Sequence, residues 1–111
     1  MRISLDLDNY PRNIADCKAR FIAYHYGLDV KIYETAHGYH VESSLIPVSE
    51  AIEPLKILAV RESLGDDPRR VRMDAHRIAK GWEWDILFYV KGKYERKLVG
   101  SIKAKSPLRI T

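Results

Sequence analysis

The chain has one cysteine, Cys17, in 111 residues. A single thiol excludes an internal disulfide and any multi-cysteine metal site. No stretch approaches the roughly 20 consecutive apolar residues of a membrane-crossing helix, so no membrane partner is expected. Glycine-rich phosphate loops, nucleophile elbows, zinc signatures and dinucleotide fingerprints are all missing. So are internal repeats, low-complexity runs and linkers. The opening Met1-Arg2-Ile3-Ser4-Leu5-Asp6 alternates in polarity and soon meets two carboxylates, unlike a signal or transit peptide. A cytoplasmic location is the expectation.

What is present describes an ordinary globular domain. The hydrophobic fraction is 46% and the charged fraction 31%. The length suits one domain, read as residues 1–100 with a basic, weakly structured tail at 101–111. The net charge of +4 is uneven. Residues 1–90 hold 12 Lys/Arg against 14 Asp/Glu, whereas residues 91–111 hold seven against one. A basic segment on a near-neutral body fits a polyanionic partner, and equally fits a solvated edge guarded by lysine.

Ile3, Leu5 and Leu7 alternate with Ser4, Asp6 and Asp8, which predicts a strand with one apolar face. A helix is expected from about Asn13 to Tyr26, with Ile14, Cys17, Phe21 and Tyr24 on its buried side and Gly27 as its stop. On that reading Cys17 is a buried, inert thiol. Val30–Thr35 and Tyr39–Leu45 read as a hairpin about Ala36-His37-Gly38. Helical spacing follows through Leu55, Leu58 and Ala59, with Pro54 either starting or kinking it. Asp66-Asp67-Pro68 predicts an N-cap and first turn, and that helix runs to about Lys80 before Gly81. Val71, Ala75, Ile78 and Ala79 form its expected stripe. Strands near Trp84–Val90 and Tyr94–Val99, joined at Lys91-Gly92-Lys93, complete the order β-α-β-β-α-α-β-β. The fold expected is α+β: a ferredoxin-like or RRM-like antiparallel sheet with helices on one face and a C-terminal basic hairpin. In that plan the fourth strand borders the first.

If Leu5 and Val41 face the helices, then Asp6, Asp8, His40, Glu42 and Asp85 gather on the opposite face. Carboxylates two residues apart on a strand converge on one side, and Mg²⁺ takes one or two of them plus phosphate oxygens. Asp6, Asp8 and Glu42 are therefore candidate ligands for Mg²⁺ or Mn²⁺, with His40 and Asp85 as candidate catalytic groups. The plainer alternative is cross-strand charge pairing.

The order Asp6-Leu7-Asp8, then Gly38-Tyr39-His40-Val41-Glu42, then Asp85 resembles the palm motifs of archaeo-eukaryotic primases. That resemblance implies metal at Asp6 and Asp8, a nucleotide phosphate at His40 and a third carboxylate at Asp85. The family's serine two residues before the histidine is Gly38 here. The whole chain, above all Arg61–Arg70, also resembles small uncharacterised proteins of archaea, their viruses and plasmids. This implies a mobile-element or replication setting, and host cytoplasm for a viral chain.

Arg69, Arg72, His76 and Lys80 share one helix face, which can track phosphates, but because Asp67 and Asp74 dilute its charge an ordinary solvated face laced with salt bridges is the favoured reading. With Lys91, Lys93, Arg96 and Lys97 they form the expected nucleic-acid surface. Tyr33, Tyr39, Tyr89 and Tyr94 read as half-buried strand residues, and Trp82 and Trp84 as packing residues. Nucleic-acid binding is the first functional expectation, with the question of catalysis open and the balance toward none. A divalent-metal phosphoryl-transfer enzyme or degenerate primase-like palm is the second. A homodimer or larger assembly through an edge strand is the third.

Overall fold

Alternation at the start of the chain produces a strand with one dry face. In a computed structural model of the protein, which describes residues 1–47, 50, 52–87, 90–91 and 94–109, Ser4–Asp8 forms β1. Leu5 and Leu7 are fully buried there. There follow α1 (Arg12–Tyr26), β2 (Val30–Glu34), β3 (Gly38–Ser43), α2 (Pro54–Ser63), α3 (Pro68–Lys80), β4 (Val90–Lys91), β5 (Tyr94–Glu95) and β6 (Lys97–Ile102). Four strands make an antiparallel sheet in the order β1-β3-β2-β6, while β4 and β5 pair only with each other. The class is α+β, with three α-helices among the described residues. Among the described residues no helix is long and apolar enough to cross a membrane.

The sheet departs from the expected plan at one place. Residues 84–87 are not a strand, and the fourth place in the sheet goes to β6, beside β2 rather than β1. The reason is local: Asp85 sits at φ 64, in the left-handed region, which interrupts an extended run. Arg2, Ser4 and Arg70 all bond its carboxylate and hold it there. Gly92, Lys93 and Tyr89 lie outside the described residues, as does the side chain of Lys91. β6 itself carries a bulge at Val99, between the pairs Ile32↔Gly100 and Tyr33↔Leu98.

Both borders of the sheet are met by side chains. On β1 the Asp6 N–H donates to Asp66 Oδ1 at 2.8 Å, and Arg70 donates to the Ser4 carbonyl at 3.2 Å. On β6 the bulged Val99 carbonyl accepts from Arg12 at 2.9 Å.

The buried face of α1 is not the expected one. Ala15, Ala19, Ile22 and Ala23 pack on the sheet, whereas Ile14, Phe21 and Tyr24 are exposed. Cys17 is exposed as well, which corrects its reading as a buried thiol. Three alanines let the helix axis come close to the strands, so the large side chains turn to its flank. Phe21 there stacks on His25 at 4.9 Å. Gly27 ends the helix at φ 72, where an added Cβ would lie 2.2 Å from the Pro107 carbonyl oxygen. The segment read as a basic tail continues β6 through Ile102. Beyond it the Ala104 N–H donates to Asp29 at 2.9 Å and the Arg109 N–H to the Tyr26 carbonyl at 2.9 Å.

Pro54 starts α2 rather than kinking it, since its missing N–H falls in the first turn. Asp67 caps α3 by accepting from the Arg69 N–H at 2.9 Å, with Pro68 following. Val71, Ala75 and Ile78 are only half-buried and Ala79 is exposed; the one fully buried residue of α3 is Asp74.

Candidate cation and nucleic-acid site

Register brings the first-strand acids and the third-strand imidazole onto one face. Asp6 pairs with His40, and His40 in turn with Tyr33. Cross-strand partners share a face of the sheet. His40 is fully buried, with Nε2 3.5 Å from Asp6 Oδ1 and Nδ1 3.4 Å from an Arg96 guanidinium nitrogen. Nε2 has no hydrogen-bond partner among the described residues and faces the Asp6 carboxylate.

The carboxylates expected to act together divide into two groups. Asp6 and Asp8 meet Asp67, the cap of α3, with one oxygen from each within 4.8 Å of the others; no other such group occurs among the described residues. Glu42 lies elsewhere, between Arg96 at 2.7 Å and Arg2 at 3.2 Å. Asp85 lies between Arg2 and Arg70, both at 2.7 Å. Thus arginines, not a shared cluster, surround Glu42 and Asp85. Gly38 faces Asp8, and a Cβ there would come within 2.0 Å of the Leu7 carbonyl oxygen. A serine at this position would force the two strands apart.

Those arginines belong to one alternating chain of charge. From Asp85 it continues through Arg70 to Asp66 at 2.9 Å, and through Arg61 to Asp74 at 2.8 Å and Arg77 at 2.8 Å. The side chains of Arg61, Asp66 and Asp74 have no solvent exposure. Burial pushes the Asp74 carboxyl up, but hydrogen bonds from Arg77, Arg61 and the Asp85 N–H, with the charge of Arg61, hold it below the ordinary carboxylate value. Sequence patterning carried a signal for this chain. Arg61 stands three and four positions after the buried Leu58 and Ile57, and Asp74 stands between Val71 and Ile78 on the stripe of α3. A charge at a core-facing position has to be paired.

The candidate nucleic-acid residues also separate. Arg69, Arg72, His76 and Lys80 are all exposed along α3. Lys97 is exposed on β6, whereas α3 lies at the β1 side, so these basic groups stand at opposite borders of the sheet. Arg96 is turned inward over Tyr33, 3.7 Å from the ring centre, and covers that ring. Trp84 packs against the core, but Trp82 is 58% exposed, contrary to its reading as a packing residue.

No family model, curated protein or solved structure matches the chain.

Proposed function

We propose that the chain binds nucleic acid along the outer face of α3. The observation that carries this reading is the withdrawal of the acids that would dilute the helix's charge. Asp74 is buried between Arg61 and Arg77, and Asp67 is turned back to cap the helix. Arg69, Arg72, His76 and Lys80 are left facing water over about 16 Å of helix. Among the described residues Arg72 and Lys80 have no acidic partner, and Arg69 meets Asp67 through two long contacts, at 3.4 and 3.5 Å. Such a row exchanges condensed counterions for side chains when it meets a phosphate backbone, so its affinity depends steeply on salt. Anisotropy titrations with labelled DNA and RNA over a range of salt test the reading. The triple variant R69A/R72A/K80A is expected to bind more weakly and to flatten the log–log salt slope by about two on single strands and nearly three on duplex. Equal affinity and slope for variant and wild type would reject it.

A second reading has its own support: a divalent cation held by Asp6, Asp8 and Asp67. Three carboxylates within 4.8 Å suit a hard cation, and the buried Nε2 of His40 lies 3.5 Å from one of them, as a group that orients a ligating carboxylate would. Mg²⁺ or Mn²⁺ there would supply charge for phosphoryl transfer, and a primase-like palm belongs to this reading. Calorimetry with each ion should show binding by wild type and its loss in D8N and D67N. Equal heats from all three proteins would remove the cation.

A further inference from the structure

We infer that the α3 surface selects single-stranded nucleic acid, with Trp82 as the platform on which an unpaired base stacks. The inference rests on the proposed nucleic-acid reading and adds the class of strand. At the end of α3, Gly81 takes φ 71, and its N–H returns to the carbonyls of Arg77 and Ile78. The Trp82 N–H donates to Arg77 O at 2.8 Å. This closure fixes the backbone of the residue that follows the glycine, and that residue ordinarily packs back on the helix. Trp82 does so only in part: its ring meets His76 of α3 edge to face at 5.6 Å and 81°, yet it is the most exposed aromatic of the described residues, at 58%.

An edge-to-face contact engages no more than one face of the indole. One of the chain's two tryptophans thus leaves more than half of its surface in water at the end of α3. Its neighbours make the placement chemical. His76 belongs to the cationic row, and Lys80 stands one residue before Gly81. A phosphate backbone drawn along Arg69, Arg72 and Lys80 therefore passes beside an exposed aromatic ring. Bases in a duplex already stack on their neighbours, so such a ring reads only unpaired ones. Base–aromatic stacking tolerates any sequence, which predicts little discrimination among bases.

Titration of the full chain with an oligothymidylate, a hairpin duplex of equal charge, an abasic strand and polyglutamate tests this. The expected order is oligothymidylate tightest, duplex and abasic strand about tenfold weaker, and polyglutamate weakest. W82A should lose about tenfold on oligothymidylate and nothing on the abasic strand, while W82F stays within a few-fold of wild type. If R69A/R72A/K80A binds oligothymidylate as wild type does, the nucleic-acid reading itself fails. If that variant is weakened but W82A is not, or if duplex binds as tightly as single strand, the cationic row stands and the single-strand inference is overturned. Polyglutamate binding as tightly as oligothymidylate would identify an acidic polypeptide as the partner instead.

Discussion

α1 and α3 are surface helices of similar length fastened by opposite means. Every fully buried side chain of α1 is apolar, and three of the four are alanines. The only fully buried side chain of α3 is a carboxylate. α1 gains its hold from close approach, where dispersion and water exclusion need no partner chemistry. α3 is held through guanidinium–carboxylate pairs to α2 and to the Asp85 turn, which need each partner in place. The lesson is that a helix can face the interior with a charge, Asp74, and still leave Arg72 and Lys80 exposed on its outer face.

Breaking α3's fastening should have the largest effect. Asp74→Ala leaves Arg61 buried without one of its two acids, and a loss of about 3–5 kcal/mol is expected in urea unfolding. A loss below about 1 kcal/mol would mean that solvent reaches the pair. Overpacking α1 comes next. Ala19→Leu forces extra volume between helix and sheet, at an expected cost of about 1–3 kcal/mol by the same measurement.

Acid sharpens the contrast further. Asp74 titrates lower in the folded chain than unfolded, so its contribution is complete above the ordinary carboxylate range and is lost as pH falls through that range. Between about pH 5 and pH 3, amide exchange in α3 should therefore accelerate more than in α1. Equal acceleration in both helices would contradict the assignment.

The cap separates stability from ligand binding. Asp67→Ala should cost about 1 kcal/mol, while Asp67→Asn, which can still cap, costs a few tenths. D67N is thus the variant in which a lost cation signal is not a folding defect. Smallest of all, Phe21→Ser on the exposed flank of α1 should change stability by less than about 0.5 kcal/mol; a larger loss would show that the flank is structural.

Much of the frame was legible because it depends on local rules. Period two marked β1, Asp67-Pro68 marked the start of α3, and Gly27 and Gly81 marked two helix ends. The parity of the strands placed His40 with Asp6. The face of α1 was misread because a hydrophobicity count ranks Phe21 above Ala19, whereas close packing prefers the smaller residue. The strand at Trp84 was misread because nothing local announces a left-handed Asp85; its conformation is held by Arg2, Ser4 and Arg70, distant in sequence. Asp67 joining Asp6 and Asp8 was hidden for the same reason, since it arrives from a helix cap some sixty residues away.

Asp66 and Arg70 on one margin, and Arg12 on the other, also bear on how the molecule behaves when crowded. A neighbouring copy seeking to lengthen the β-ladder at Ser4–Asp6 would have to eject a carboxylate and a guanidinium already engaged with the main chain. Fibrous growth from that side is thereby opposed by charge-assisted bonds.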